Sequence, residues 1–317
     1  MWSSATASRS YDLPVRLVDR LIARSLPAVP RPLVRRFADR YMAGETVADA
    51  VSTVRALNEA GASATIDVLG EFVDRRGQAE EAVEEYERAV AAIVEHELDA
   101  GISVKPTALG LEIDPQFGLE NVRRVVAAAA PHGMFTRIDM EHSGVTDQTI
   151  GIYRTLRSEG FERIGVVLQS YLKRSLADIE SMSDLTPNVR LVKGIYVEPP
   201  EIAYRDPAMV NRSFIRMLEA LLDGGSYVAV ASHDDRLVDQ AIEVIDARGA
   251  GTDRHEFQLL LGVREELRDR LISSGRKVRI YVPYGEAWYG YSMRRLQENP
   301  QLAGYVARDT LRAVLPG

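Results

Sequence analysis

Two adjacent arginines near the end of the chain, Arg294 and Arg295, follow a stretch rich in aromatic residues. Aromatic residues make up only 7% of the sequence, yet five precede these arginines closely: Tyr281, Tyr284, Trp288, Tyr289 and Tyr291. A guanidinium group is a planar fork that suits a carboxylate, and aromatic rings shield an apolar ligand surface from water. This composition predicts a pocket for a small molecule with one carboxylate and one apolar side. The alternative is a solvated helix in which Arg294 pairs with Glu298 one turn later.

Lys105 offers a further cation at the end of the apolar stretch GISVK. It could bind the same carboxylate, or act as a Schiff-base nucleophile of the kind used by barrel aldolases. The plainer alternative is a lysine whose charged end simply extends to solvent.

Asp139, in the segment RIDMEH, could orient these cations or act as a base. Glu141 and His142 follow it, and such a group is also a candidate for metal binding. Successive residues at a strand end point in different directions, so we predict no metal site here. His233, in VASHDD, is a functional candidate, or else a partly buried histidine with a structural partner.

Composition excludes several classes of protein. The chain has 317 residues and a formal charge of -7, which argues against a broad nucleic-acid surface. It has no cysteine, which excludes disulfides, thiolate nucleophiles and cysteine-ligated metals. Neither G-x-G-x-x-G after a strand nor G-x-x-x-x-G-K-[ST] occurs, so a Rossmann dinucleotide site or a P-loop is not supported.

Eight short runs rich in β-branched residues alternate with longer amphipathic patterns, which indicates a parallel sheet. Eight such units favour a closed (β/α)8 barrel of the α/β class over an open sheet. The seventh run can also be interpreted as helix. The runs are ATIDV (64–68), GISVK (101–105), FTRIDM (135–140), RIGVVLQ (163–169), VRLVKG (189–194), YVAVASH (227–233), HEFQLLL (255–261) and KVRIYV (277–282).

Polar residues stand at or near the C-terminal end of every predicted strand. In a barrel these ends converge on one face, where active sites are built. Strand ends are also where a sheet meets water, but a ring of mixed charges favours function. The ring comprises Asp67, Lys105, Asp139, Gln169, Lys193, His233, Gln258 and Tyr281.

We divide the chain into a helical segment, 1–60, packed on the barrel, and a catalytic barrel, 61–317, that includes the last helix. LPVRLVDRLIARSL (13–26) has helical periodicity before prolines interrupt it. The sequence has no apolar run of about 18 residues and no signal-peptide pattern at its start. We therefore expect a cytoplasmic protein whose membrane contact, if any, is peripheral.

Seven segments, in this order, resemble the motifs of the flavin-dependent proline dehydrogenases. The resemblance runs from the first predicted strand to the last helix. Two positions differ from the usual pattern: Ser232 stands where the family often has threonine, and Ile195 where it often has alanine. The segments are DVLGE (67–71), SVKPTALG (103–110), RIDMEH (137–142), RLVKGIY (190–196), ASHD (231–234), EFQLLLG (256–262) and IYVPYG with RRLQEN (280–299).

The resemblance implies a distorted (β/α)8 barrel that holds FAD at its C-terminal face. It implies oxidation of L-proline to Δ1-pyrroline-5-carboxylate, with electrons passed to a membrane quinone. The chain length leaves no room for the aldehyde dehydrogenase domain of some relatives, so we expect the monofunctional type.

The resemblance also implies roles for individual residues. Arg294, Arg295 and Lys105 would bind the proline carboxylate, with Asp139 and Glu71 as their ionic partners. Arg190 would lie beside flavin N5. The residues that would surround the proline ring are Tyr281, Tyr291, Tyr196 and Leu191. Those that would contact the cofactor are Met140, Gln169, Val192, Lys193, Gly194, Ile195, Ser232 and His233.

Two other classes of function stay open on the residues alone. A Schiff-base barrel lyase would use Lys105 and bind no flavin. A non-enzymatic barrel would bind an amino acid and be stabilised by it without turnover.

Overall fold

Eight parallel strands close into a barrel in sequence order in this computed structural model, which describes residues 31–70 and 73–298. Strand β1 pairs with β2 on one side and with β8 on the other, so the sheet has no edge. All eight predicted runs are strands, including HEFQLLL, and the predicted barrel is confirmed. The strands are β1 (Ser63–Val68), β2 (Ala100–Val104), β3 (Thr136–Ile138), β4 (Ile164–Gln169), β5 (Asn188–Val192), β6 (Tyr227–Ala231), β7 (His255–Leu260) and β8 (Val278–Tyr284).

Amphipathic helices connect the strands and cover the barrel. Asp114, Asp206 and Asp234 each accept a hydrogen bond from a backbone N–H in the first turn of the helix that follows. They satisfy donors that a helix start leaves open. Within the described ranges the α-helices are α1 (Arg31–Tyr41), α2 (Val47–Glu59), α3 (Arg76–Glu95), α4 (Pro115–Ala129), α5 (Thr146–Ser158), α6 (Ser175–Ser181), α7 (Pro207–Asp223), α8 (Asp235–Ala247), α9 (Glu265–Ser273) and α10 (Trp288–Glu298).

Helix α2 takes the place that the eighth helix has in a regular barrel. It packs against both β8 and β1, with Ala50, Val54 and Leu57 among its buried residues. Its approach is fixed by a backbone hydrogen bond from Ala43 N to Pro283 O, 2.8 Å. The seam between β8 and β1 is therefore covered by a helix that precedes β1 in the chain, and not by one that follows β8. This is how the barrel departs from regular (β/α)8 geometry.

The interior of the barrel is polar. Regular barrels fill this space with layers of branched apolar side chains. Here Arg137 on β3 is 2% exposed and donates through Nη1 to Val166 O and Asn188 O. A Cβ at Gly165, its neighbour on β4, would collide with that guanidinium group. The apolar core lies instead between the outer faces of the strands and the helices.

The described residues divide into two compact units, 41–286 and the pair of ranges 31–40 and 287–298. The first contains the whole barrel. The division predicted at residue 60, with the last helix counted in the barrel, stays a prediction, and the segment 13–26 lies outside the described residues. Across the described ranges, no helix combines the length and apolar character required to cross a membrane.

Candidate active site

Asp139, just after β3, lies at the centre of a buried hydrogen-bond cluster. Its Oδ1 accepts from Ser103 Oγ at 2.7 Å and from Arg190 Nη1 at 2.6 Å. Its Oδ2 accepts from the Tyr281 hydroxyl at 2.8 Å. Burial and the charge of Asp139 raise the pKa of Tyr281 well above its ordinary value, so this phenol stays a neutral donor. The donors belong to β2, β5 and β8, which meet only because the barrel closes.

A second ion pair joins Lys105, just after β2, to Asp67 on β1. Lys105 Nζ also lies 3.2 Å from the Tyr281 hydroxyl, so the pair adjoins the Asp139 cluster. Asp67 is fully buried, and this burial raises its pKa to about 6 although Lys105 acts in the opposite direction. Its Oδ2 has no hydrogen-bond partner among the described residues. This part of the site therefore holds a carboxyl group that changes charge under mildly acidic conditions.

Arg190 crosses the barrel interior from β5. Its Nε donates to Gln258 Oε1 at 2.6 Å, and its guanidinium carbon lies 5.1 Å from the centre of the Tyr281 ring. Its Nη2 is buried and has no partner within the described part of the chain. A buried donor without an acceptor is costly, so this nitrogen indicates where a ligand acceptor belongs.

Comparison with known protein families identifies this architecture. The family model for proline dehydrogenase matches residues 50–308, from helix α2 onward. The chain belongs to the proline dehydrogenase family. Among curated relatives, a proline dehydrogenase of Deinococcus radiodurans is 37% identical and covers 93% of this chain and 100% of its own. Proline dehydrogenase 1 of Bacillus subtilis subsp. natto is 38% identical and covers 87% of this chain and 91% of its own.

Two solved structures that are similar to this chain belong to larger proteins. A crystal structure of proline utilization A from Bdellovibrio bacteriovorus, inactivated by N-propargylglycine, superposes with a TM-score of 0.80 at 22% identity. The match covers 90% of this chain and 36% of that chain. The chain therefore spans about a third of that protein, and the likeness concerns the fold.

Four of the residues predicted to contact FAD lie at neighbouring strand ends. Gln169, at the end of β4, donates through Nε2 to Glu141 O at 3.0 Å. After β5, Lys193 Nζ lies 2.7 Å from Asp234 Oδ2. After β6, His233 Nε2 accepts from Leu260 N at 3.0 Å. Ser232 Oγ likewise accepts from the Asp234 N–H, at 3.2 Å. These side chains are thus oriented by other parts of the barrel.

The loop after β5 holds a closely packed turn. Gly194 has φ of +109°, and a Cβ there would collide with the Tyr171 ring, so glycine is required. Ile195 next to it is 57% exposed. The Tyr196 ring meets the His142 ring edge-on at 6.4 Å between centres.

The other predicted site residues differ in how far the structure describes them. Leu191 is fully buried in the core, Met140 is buried, and Val192 is partly buried. Tyr291 is buried on α10, which belongs to the second compact unit. Glu71 and the side chains of Arg294 and Arg295 lie outside the described residues. The roles predicted for all of these residues stay predictions.

The neighbours of Asp139 in RIDMEH have partners of their own. Glu141 accepts from Thr107 N and Oγ1, at 2.9 and 2.5 Å. His142 Nε2 lies 3.2 Å from Glu112 Oε1. Residues 31–70 and 73–298 contain no group of acidic or histidine side chains arranged to hold a metal ion.

Three residues of the cluster were given no individual role in the sequence prediction. Asp67 and Gln258 were predicted only as members of the ring of polar residues near strand ends, which places them on the face of the site but assigns them no partner. Ser103 gave no such signal, because a serine inside an apolar strand is common. Its contact with Asp139 depends on the pairing of β2 with β3.

Proposed function

We propose that this chain is a monofunctional proline dehydrogenase that oxidises L-proline to Δ1-pyrroline-5-carboxylate with FAD as its cofactor. Family membership and relatives named proline dehydrogenase support the reaction. The observation that carries the proposal is the cluster at the C-terminal end of the barrel, in which the buried Asp139 and Arg190 meet the partly buried Tyr281 and Lys105.

The proposed proline site combines a cation with an aromatic ring. Lys105 supplies a cation beside the Tyr281 ring, with Nζ 5.8 Å from the ring centre. A cation next to an aromatic face suits a molecule with a carboxylate at one end and an apolar ring at the other. Arg294 and Arg295 would complete the carboxylate site. The pairing of Lys105 with Asp67 fixes the ammonium group in place before the ligand arrives.

The residues present fit FAD at the ends of β4, β5 and β6. Arg190 has one buried donor, Nη2, that no described residue satisfies, and a flavin ring offers acceptors along its edge. Gln169, Lys193, Ser232 and His233 would hold the cofactor around it. The chemistry that FAD would supply there is acceptance of a hydride from the ring carbon next to the proline nitrogen. The cation at Arg190 would then stabilise negative charge that develops beside it.

The pH dependence follows from the substrate. A protonated secondary amine has no lone pair to assist loss of hydride, so the site must hold proline with a neutral nitrogen. We therefore expect turnover to rise with pH until that nitrogen is deprotonated.

We propose further that a quinone receives the electrons and that the protein works in the cytoplasm, meeting the membrane surface only peripherally. The support is the implied chemistry of the family, because a reduced flavin needs an acceptor before another turnover. Adding liposomes that contain a quinone should restore flavin absorbance after proline has bleached it. Liposomes without quinone serve as the control, and equal recovery in both would contradict this part.

The main experiment is an absorption spectrum of the purified protein. We expect flavin bands that L-proline bleaches in the absence of oxygen. D-proline serves as a control for shape, and the Arg190→Met variant as a control for the site. A protein without flavin, or with flavin that proline leaves oxidised, would contradict the proposal.

A Schiff-base lyase is less well supported by the structure. Such an enzyme needs a lysine amine that can reach a substrate carbonyl, whereas Lys105 Nζ is held in an ion pair with Asp67 and lies 3.2 Å from the Tyr281 hydroxyl. Borohydride treatment with substrate should leave Lys105 unmodified, and peptide mass analysis would detect the alternative.

A further inference from the structure

Strand β7 directs two polar side chains, Glu256 and Gln258, into the barrel. They alternate along the strand and are each 5% exposed. Neither belongs to the residues linked above to proline or FAD. Buried polar groups almost always have hydrogen-bond partners, so the contacts of these two residues indicate what they do.

The two side chains form a chain of hydrogen bonds that ends on Arg190. Arg279 Nε donates to Glu256 Oε1 at 2.9 Å, and Gln258 Nε2 donates to the same oxygen at 2.5 Å. Gln258 Oε1 then accepts from Arg190 Nε at 2.6 Å. Burial is the largest single effect on Glu256 and acts to raise its pKa. The charge and hydrogen bond of Arg279, the hydrogen bond from Gln258 and the charge of Arg137 together outweigh burial, so the pKa of Glu256 is lowered below its ordinary value.

This chain permits only one orientation of the Gln258 amide. The amide has one acceptor end and one donor end. A reversed amide would set its NH2 group against Arg190 Nε and its oxygen against a carboxylate. Both contacts would be repulsive, so the Arg279–Glu256 pair determines which end faces Arg190.

Small residues on β6 allow Arg190 to reach across to β7. Arg190 is in register with Ala229 on β6, and Ala229 is in register with Glu256 on β7. Ala231 is in register with Gln258. An alanine side chain leaves the interior open at both levels, so the guanidinium group can contact a strand that is not its neighbour.

We propose that Gln258 is a positioning residue that holds the Arg190 guanidinium with Nη2 directed toward the cofactor. The inference rests on the proposed flavin-dependent function. Asp139 binds Nη1 and Gln258 binds Nε, and two anchored nitrogens fix the plane of a guanidinium group. Nη2 is the nitrogen left without a partner among the described residues.

Loss of Gln258 would free the Nε side of Arg190. The guanidinium group could then turn and offer both Nη atoms to Asp139, an arrangement that carboxylates favour. Nη2 would no longer face the cofactor. The change should therefore affect the flavin and the chemical step more than the binding of proline.

The first test compares Gln258→Met with wild type, both as FAD-loaded protein. Methionine has similar length but no amide. We expect kcat to fall about tenfold or more, while KM for proline changes less than about threefold. The midpoint potential of the bound flavin should also fall, where each tenfold weakening of reduction equals about 30 mV for a two-electron couple.

The matched control is Asn121→Leu, which removes a buried amide outside the site. Asn121 is 7% exposed and donates to Leu109 O at 2.9 Å. This variant should lose stability and keep the wild-type flavin potential. If Gln258→Met keeps both the wild-type potential and kcat within about twofold, the positioning role is wrong.

A second variant does not depend on whether Gln258→Met folds. The double exchange Glu256→Gln with Gln258→Glu keeps the net charge and allows all three hydrogen bonds of the chain, because the amide at position 256 can donate to the carboxylate at position 258. Its kcat should exceed that of Gln258→Glu alone, where two carboxylates would face each other. A double variant no better than the single one would overturn the proposal. Wild type that lacks flavin would instead contradict the proposed function.

Discussion

Two sets of ion pairs in this protein have the same chemistry and different surroundings. Between helices α3 and α4, Arg124 binds both oxygens of Glu87 at 2.7 Å, and the two side chains are 47% and 33% exposed. Inside the barrel, Arg190 binds Asp139 at 2.6 Å, and these side chains are 7% and 12% exposed. An exposed pair contributes about 0–1 kcal/mol, whereas breaking a buried pair costs about 3–5 kcal/mol.

The difference in burial bears on the role of the charged side chains inside the barrel. A buried ion pair can often be replaced by apolar residues with no loss of stability, because desolvation offsets most of its attraction. Stability alone therefore does not explain a charged barrel interior. The interior pairs place a cation and a neutral phenol at the site, while the outer pairs only join helices.

The largest effect is expected from Arg190→Met. Asp139 would be left as a buried charge without its main partner, so the free energy of unfolding should fall by about 3–5 kcal/mol. Turnover should fall about a hundredfold or more, because a cation beside developing charge is lost. Urea unfolding and steady-state kinetics measure the two effects. Adding Asp139→Asn should recover stability without recovering turnover; recovery of both would show that Arg190 is structural.

The next effect concerns Asp67 and pH. Its pKa of about 6 lies above the ordinary value of 3.8, so between these values the folded protein holds a proton that the unfolded chain has lost. This group therefore stabilises the fold less as pH rises. The difference in the free energy of unfolding between Asp67→Asn and wild type should therefore shift in favour of the variant as pH rises from about 4 to 7. The expected shift is up to about 3 kcal/mol.

Asp114→Asn is the matched control for this pH dependence. Backbone N–H groups of Phe117 and Gln116 and the charge of Arg76 lower the pKa of Asp114, so its contribution grows as pH rises. The difference from wild type should change in the opposite direction. Equal slopes for both variants in urea unfolding would contradict the assignment.

A smaller effect is expected for Tyr281→Phe, which removes a hydroxyl that donates to Asp139 and accepts from Lys105. Ser103 and Arg190 still bind Asp139, so the free energy of unfolding should fall by about 1.5 kcal/mol. Calorimetric unfolding measures it. Tyr153→Phe is the control, because the hydroxyl of Tyr153 is buried without a partner among the described residues and its loss should not destabilise.

The smallest effect is expected for Arg124→Met on the helical surface. The free energy of unfolding should change by about 0.5 kcal/mol or less, and turnover should not change. High salt should reduce even this difference by screening the pair. If Arg124→Met lowered the free energy of unfolding as much as Arg190→Met, the exposure of an ion pair would not explain its contribution to stability.

Much of the fold could be predicted because its signals are local. Each strand is a short apolar run, and eight runs with helical patterns between them favour one architecture. The pairing of Lys105 with Asp67 could not be predicted, because 38 residues separate them and either side chain could have faced solvent. Placement of α2 over the seam between β8 and β1 also lacked a local signal, since an amphipathic helix shows only that one face is covered.

Local sequence patterns were enough to predict the strands, the polar residues near their ends and the resemblance to the family. Which of those polar residues contact one another depends on the closed barrel. Closure of the barrel brings Asp139, Arg190, Gln258 and Tyr281 together from four strands. The orientation of one amide and the pKa of one carboxyl then depend on burial and on neighbours distant in the chain. Local patterns hold no information about either, because electrostatic environment exists only once the interior is closed.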